Sequence, residues 1–215
     1  SLPAMQIMGL ATLAFHLRRS SSAKNAFWKA WWFATVWMVS TFWWLFISLH
    51  TYGGMPAWMA ALAVVMLAVA LGLYYAVAGW ATQCITASSR STWWSSMAVF
   101  ASAWTLAEVA RTMLFTGFPW GAVGYAHIDG LLSSFAPWVG VYGIGWLSAA
   151  MAMAMAHGQP LRPTWQTAGS TAKHLKWGAV VLACLCMVQV PGLPRHFNAV
   201  DSAGDMQFHL LQGNI

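Results

Sequence analysis

The 215 residues are 60% hydrophobic and only 7% charged, with a formal net charge of +6. A soluble domain carries about 25% charged residues to solvate its surface, so this composition excludes a water-soluble globular fold and predicts a membrane protein. The 16 tryptophans agree with a membrane protein, because indole rings favour the headgroup layer. Nucleic-acid binding is also excluded, since the basic residues fall in short loops between apolar runs rather than on one face or in one tail.

Apolar segments follow one another along the chain, and only α-helices satisfy their own backbone hydrogen bonds in lipid without closing a barrel. A helix needs about 20 residues to cross the hydrocarbon core. The predicted helices are, in chain order, 2–17, 27–49, 57 to about 83, 93–115, 136–156 and 177 to about 193. The middle four are long enough, whereas the first and the last are short. The sequence therefore predicts an all-α polytopic transmembrane helix bundle of about six helices.

Eight of the ten basic residues fall on alternate loops, which orients the predicted bundle, and the other two are Arg111 and Arg195. The second and fourth loops carry none, and those of the first, third and fifth loops are Arg18, Arg19, Lys24, Lys29, Arg90, Arg162, Lys173 and Lys176. The positive-inside rule places such loops in the cytoplasm. The loops around Gly53 and Pro119 and the tail after Pro194 are therefore predicted to face the outer side.

The tail differs in character from the bundle. Residues 195–204 are polar and rich in turn formers, and residues 206–215 begin with the apolar alternation typical of a β-strand. An isolated strand is not a stable unit. We therefore expect a transmembrane domain over 1–194, followed at 195–215 by a linker and the first strand of a second, soluble domain. With the short first helix and the missing initiator Met, this pattern predicts a piece of a longer protein.

Candidate functional residues concentrate at the end of the fourth helix and in the loop after it. Glu108 and Arg111 are three residues apart, share a helix face and can pair. Ionisable residues inside a membrane helix are costly and suggest a functional site, the alternative being an internal ion pair that locks two helices. Trp120 and Tyr125 follow in a loop that either shapes a pocket for a lipid headgroup or forms part of an aromatic belt.

Other chemistry has weaker support in the sequence. His127 and Asp129 offer two potential ligands without a third nearby, so no metal site is predicted. Cys184 and Cys186 lie in an apolar run and lack the positive, partly exposed setting that activates a thiol. We predict no metal and no cofactor.

Motifs in three places, in the same order along the chain, resemble bacterial apolipoprotein N-acyltransferase, and the resemblance spans nearly the whole chain. The three are Tyr52-Gly53-Gly54-Met55-Pro56; the run Glu108, Arg111, Thr116-Gly117-Phe118-Pro119-Trp120, Gly124-Tyr125, Ile128-Asp129-Gly130, Ala136-Pro137, Gly140-Val141; and Leu211-Gln212-Gly213-Asn214-Ile215. The last resembles the opening strand of that family's carbon–nitrogen-hydrolase (nitrilase-like) domain, which is α/β. A first transmembrane helix and the rest of the nitrilase-like domain have no counterpart in these residues.

The resemblance implies a multi-pass enzyme of the bacterial inner membrane with its C-terminal tail on the periplasmic side. Such enzymes move an acyl chain from a phospholipid to the N-terminal cysteine amine of a diacylated lipoprotein. A thioester forms on the Cys of a Glu-Lys-Cys triad, which divides a difficult transfer into two steps. No residue here matches that triad, so no catalytic residue is carried over and the 215 residues alone are expected to be inactive.

The implied partners are a phospholipid acyl donor, a diacylated lipoprotein acceptor and membrane lipids. We predict that Glu108, Arg111, Trp120 and Tyr125 line a membrane-level opening through which lipid enters. A polytopic transporter, whose paths also show buried charges and Gly or Pro breaks, and a non-catalytic membrane scaffold are the alternatives.

Overall fold

The computed structural model describes residues 2–87, 92–115, 117–128 and 130–158. Its helices are α1 (Leu2–Arg18), α2 (Ala23–Thr41), α3 (Trp43–Ile47), α4 (Ala57–Thr86), α5 (Trp93–Met113) and α6 (Ala136–Gly158), with a π-helical turn at Ser48–Tyr52 and 3-10 turns at Val123–His127 and Ser133–Phe135. Within these ranges there is no strand, so the helical prediction is confirmed there. The predicted helix at 177–193, the boundary at 194 and the predicted strand lie outside the described residues.

The prediction of one continuous helix over 27–49 is wrong. The chain breaks at Phe42, and α2 makes an angle of 52° with the helical segment that follows. Two hydroxyls precede the break and bond back along the helix: Ser40 donates to the Val36 carbonyl at 3.0 Å, and Thr41 donates to the Trp37 carbonyl at 2.9 Å. Such back-bonding bends helices. The Phe42 side chain is buried against Phe118, with ring centroids 4.9 Å apart, which holds the bend in place.

Among the described residues, α4 and the stretch Ser133–Gly158 are long and apolar enough to cross a membrane, and α2 with the segment after its bend makes a third span if the pair is counted as one. The multi-pass membrane protein predicted from composition is thus supported. In α5, polar and ionisable side chains such as Glu108 and Arg111 interrupt the apolar sequence. The length of α1 is 17 residues, somewhat short of the roughly 20 that a span needs.

Small residues form the seam between α2 and α4. Gly79 lies so close to α2 that an added Cβ would be 2.5 Å from the Ala30 Cβ and 3.1 Å from the Ala26 carbonyl oxygen. Large apolar side chains such as Trp32, Leu62 and Met66 point outward instead. Small residues inside and large apolar residues outside are typical of helices that pack in lipid, where close backbone approach supplies the attraction.

The two ends of the bundle are chemically different. At one end, which we call the basic end, the Arg18 guanidinium donates to the Ala156 carbonyl, and the Gln83 amide donates to the Ser20 carbonyl at 3.1 Å. The C-terminal ends of α1, α4 and α6 therefore meet there. The opposite end, which we call the loop end, consists of residues 42–56, 114–115, 117–128 and 130–135, where Gly121 lies against Phe42. This arrangement matches the predicted alternation of loops, while Arg90, Arg162, Lys173 and Lys176 lie outside the described residues.

Candidate functional site

Arg111 is a buried cation that fixes the loop following α5. Its guanidinium Nη1 donates to the Phe118 carbonyl at 2.7 Å and to the Trp120 carbonyl at 2.6 Å. The backbone closes the same loop, because the Phe118 N–H donates to the Arg111 carbonyl at 2.9 Å. Hydrogen bonds from a charged donor are short and strong. Arg111 therefore holds the loop in a set position at the end of the helix.

Glu108 holds the next part of the loop. Its side chain is fully buried, and its Oε1 accepts the backbone N–H of Val123 at 2.8 Å. Val123 begins the 3-10 turn Val123–His127. One turn further along α5, the Thr112 and Tyr142 hydroxyls are 2.7 Å apart, which ties α5 to α6. Glu108 and Arg111 thus anchor two successive pieces of one loop from a single helix face.

The direct ion pair expected between Glu108 and Arg111 is not what the structure shows. Within the part of the chain that the structure describes, no hydrogen bond joins the Glu108 and Arg111 side chains. The reason is that the loop 117–123 folds back onto this helix face and offers backbone N–H and C=O groups to both side chains. The spacing of three residues correctly predicted that Glu108 and Arg111 share a helix face. Their hydrogen-bond partners, however, are backbone groups of the loop.

Glycines allow the loop to turn back so tightly. Gly117 has a φ of 78°, which a side chain rarely adopts. A Cβ at Gly117 would also clash with the Thr112 carbonyl oxygen. The tight turn brings the Phe118 and Trp120 carbonyls back to Arg111.

The other two candidates, Trp120 and Tyr125, lie at the surface of the loop end. Their side chains are 54% and 50% exposed. The Trp120 ring rests on Phe118 and Trp44, with ring centroids 5.1 Å and 6.3 Å apart respectively. Tyr125 is carried by the 3-10 turn that Glu108 anchors through Val123. The four candidates therefore form one unit, in which two buried ionisable side chains position two exposed aromatic residues.

A groove of about 1190 Å³ runs between α4 and α5 and ends at this unit. Its walls are almost entirely apolar side chains, and Arg111, Phe115 and Phe118 lie at its loop end. Of the four candidates only Arg111 is part of the groove wall. Trp120 is next to it through its contact with Phe118. A long apolar groove with one polar end has the character of a site for a lipid chain.

A second polar cluster, which the sequence analysis missed, joins α1 to α6 beneath the loop. His127 Nε2 lies 2.9 Å from Gln6 Oε1 and 2.9 Å from Ser148 Oγ. The Gln6 amide nitrogen donates to the Val123 carbonyl, which fixes the orientation of the amide. Since Gln6 Oε1 can only accept, His127 Nε2 carries a proton and donates. His127 therefore cannot act as a base toward Ser148, and burial lowers the pKa of the imidazole.

The sequence analysis predicted no metal site at His127 and Asp129. Among the described residues, no group of three or more His, Cys, Asp or Glu side chains is assembled. His127 is engaged with an amide and a hydroxyl, while Asp129 lies outside the described residues. The sequence signal for this cluster was Gln6, the one amide side chain in the predicted helix 2–17.

Residues 1–154 match the family described as apolipoprotein N-acyltransferase N-terminal domain. The apolipoprotein N-acyltransferase of Ralstonia nicotianae is 36% identical, over 98% of this chain and 38% of that protein. The apolipoprotein N-acyltransferase of Verminephrobacter eiseniae is 40% identical, over 98% of this chain and 39% of that protein. The chain thus spans about two fifths of the length of these relatives. By this match and these identities, the chain belongs to the apolipoprotein N-acyltransferase family.

Proposed function

We propose that this chain forms the membrane part of an enzyme that moves an acyl chain from a phospholipid to the N-terminal cysteine amine of a diacylated lipoprotein. Both substrates are anchored in lipid, so the reacting groups meet at the membrane interface. Holding them there removes much of the entropic barrier to reaction. Family membership favours this function over the transporter and the non-catalytic scaffold.

The observation that carries the proposal is the exposed aromatic pair, Trp120 and Tyr125, fixed by two buried ionisable side chains at the end of an apolar groove. Ionisable side chains are costly inside a membrane bundle, so their presence suggests a functional site. Here Arg111 and Glu108 hold the loop that bears the aromatic residues. An acyl chain in the groove would place its ester-bearing end beside Arg111 and Phe118. We propose that Glu108, Arg111, Trp120 and Tyr125 form the lipid-entry side of the enzyme.

We further propose that the loop end faces the periplasm and the basic end faces the cytoplasm, in a bacterial inner membrane. The excess of Arg and Lys at the basic end supports this orientation. The transmembrane domain would cover 1–194, and 195–215 would lead into a nitrilase-like domain on the periplasmic side. Because the Glu-Lys-Cys triad implied by the resemblance has no match in these residues, we expect no turnover from the 215 residues alone.

The test uses a chimera in which this chain replaces the matching two fifths of the Verminephrobacter eiseniae protein. Trp120→Ala in the chimera should slow both thioester formation with a phospholipid and acyl transfer to a diacylated lipopeptide, by about tenfold or more, as expected where a large aromatic anchor is lost. The two rates are measured separately in vesicles of defined phospholipid composition.

Trp32→Ala is the matched control. Trp32 is also an exposed tryptophan, but it lies on α2 away from the loop end, and its loss should leave both rates unchanged. If Trp120→Ala behaved like Trp32→Ala, Trp120 would not belong to a lipid-entry site. Labelling of the isolated 215-residue chain by a thioester-forming lipid probe would contradict the expected inactivity.

A further inference from the structure

A second groove, of about 400 Å³, lies between α1 and α2 at the basic end of the bundle. Its wall includes Leu13 and His16 of α1 and Trp28, Lys29 and Phe33 of α2. The volume falls within the range of about 300–1,000 Å³ that is usual for ligand sites. This groove shares no wall residue with the groove between α4 and α5. It is therefore a candidate site that the proposed acyl transfer does not use.

The polarity of this groove changes with depth in the way that a phospholipid does. Because α1 ends and α2 begins at the basic end, His16 and Lys29 lie near the rim. Phe33 is four residues after Lys29, which places it about 6 Å deeper along the helix. There the Phe33 ring approaches α1, since a Cβ at Gly9 would be 3.9 Å from its Cζ atom. The groove thus has a charged rim, apolar walls and a narrow inner end.

Lys29 is a half-buried cation that is held in place at the rim. Its Nζ donates to the His16 carbonyl at 3.0 Å and to the Ser20 hydroxyl at 3.1 Å. An ammonium group has three N–H donors. Both acceptors are neutral, so within the described part of the chain one N–H and the positive charge remain available to a ligand. Because the side chain is already ordered, a ligand does not have to immobilise it, which favours binding.

Trp28 lies beside Lys29 and is also held in place. Its ring meets the Trp31 ring edge-on, with centroids 5.3 Å apart, and the Trp31 indole N–H donates to the Val69 carbonyl at 3.1 Å. The Trp28 side chain is nevertheless 46% exposed. Since indole rings favour the headgroup layer of a bilayer, Trp28 marks the depth at which the headgroup of a bound lipid would lie.

The charges at this end favour an anionic occupant. Arg18, Arg19 and Lys24 accompany Lys29 there. Among the described residues the one acidic side chain is Glu108, which bonds to the Val123 N–H at the loop end. A zwitterionic headgroup would bring its own cation to a rim where no described carboxylate could pair with it. Basic clusters at a membrane surface attract anionic lipids instead.

We propose that the groove between α1 and α2 is a binding site for one anionic phospholipid. Lys29 donates to the phosphate, Trp28 lies against the headgroup region, and an acyl chain runs inward along Leu13 and Phe33. This lipid is bound but not consumed, because it lies at the end of the bundle opposite the lipid-entry side. The inference therefore does not rest on the proposed acyl transfer and can be tested without measuring it.

Native mass spectrometry of the full chain in detergent, titrated with phosphatidylglycerol or phosphatidylcholine, tests the site. The first phosphatidylglycerol should bind at least about fivefold more tightly than the first phosphatidylcholine, and Lys29→Ala should remove that preference. Lys24→Ala is the matched control, because it removes the same charge from the same end but not from the groove wall. Equal affinity for the two lipids, or equal weakening in both variants, would overturn the proposal in favour of diffuse attraction.

Two further variants keep the test decisive if Lys29→Ala unfolds. Lys29→Arg keeps the charge and should keep the preference for phosphatidylglycerol. Thr12→Phe adds bulk at an exposed position of the groove wall without changing any charge, and it should weaken the first phosphatidylglycerol by about fivefold or more. Val65→Phe, at an exposed position of α4 outside both grooves, is its control. Unchanged binding in Thr12→Phe would show that no acyl chain occupies the groove.

Discussion

The Arg111 guanidinium donates a hydrogen bond of 2.6 Å to the carbonyl of Trp120, nine residues further along the chain. A fully buried cation thereby sets the position of a half-exposed aromatic side chain. The hydrogen bond involves only the backbone of Trp120, so the indole ring remains available to contact Phe118 and Trp44. A change at Arg111 should therefore alter the loop without altering the chemistry of the residues on its surface.

Arg111→Met should loosen the loop that carries Trp120. The substitution removes two charged hydrogen bonds, each contributing about 1.5–3 kcal/mol. We expect amide hydrogen exchange at Phe118 to become faster by about tenfold or more, since a factor of ten corresponds to about 1.4 kcal/mol. Arg19→Met, at the basic end, is the control and should not change exchange in this loop. Unchanged protection at Phe118 in Arg111→Met would show that Arg111 does not hold the loop.

Glu108 can be tested by separating its charge from its role as an acceptor. Glu108→Gln keeps a carbonyl oxygen for the Val123 N–H, whereas Glu108→Leu leaves that buried N–H without a partner, at a cost of about 1–3 kcal/mol. We expect the Val123 amide to stay protected from exchange in Glu108→Gln and to lose protection in Glu108→Leu. Equal loss in both variants would mean that the carboxylate charge, rather than its oxygen, stabilises the loop.

The length and hydrophobicity of the apolar segments predicted most of the helices, but they did not predict the bend at Phe42. Four predicted helices agree with α1, α4, α5 and α6 to within three residues at either end, because long apolar runs leave the backbone no other choice in a membrane. The bend at Phe42 was missed, since it has neither Pro nor Gly and depends on two hydroxyls and on the packing of Phe42 against Phe118.

The candidate site was predictable in its membership but not in its contacts. The cost of charge in a membrane singled out Glu108 and Arg111, and helix spacing placed them on one face. Their partners come from a loop whose path depends on the turn at Gly117, so sequence spacing suggested a pair that does not form. Gln6 and Ser148 escaped notice because they meet His127 only through tertiary packing, 121 and 21 residues apart in the chain.

His127 predicts a pH dependence of stability. Burial lowers the pKa of its imidazole in the folded chain, so the unfolded chain binds a proton more readily, and stability rises with pH over that window. We expect thermal stability in detergent to fall as the pH drops below about 6.5, the ordinary imidazole pKa. His127→Gln should reduce this dependence, whereas His50→Gln, at an exposed histidine, should preserve it. An unaltered pH profile in His127→Gln would assign the effect to other groups.

Gly79 is predicted to be the least replaceable position in the seam between α2 and α4. In Gly79→Ala the new Cβ would be 2.5 Å from the Ala30 Cβ and 3.1 Å from the Ala26 carbonyl oxygen, so α2 has to move away. Overpacking of this kind costs about 1–3 kcal/mol, which outweighs the gain of up to about 1 kcal/mol from replacing Gly by Ala in a helix.

The matched control for that seam is Gly158→Ala, at the end of α6. An added Cβ there meets none of the described residues within 4 Å, so we expect the helix propensity to dominate and stability to be equal or slightly higher. Thermal unfolding of both variants in the same detergent separates the two effects. If Gly79→Ala unfolded at the same temperature as Gly158→Ala, α2 and α4 would not be in the close contact that their small residues allow. A lower unfolding temperature in Gly79→Ala alone would show that backbone proximity, rather than helix propensity, is what glycine provides at this position.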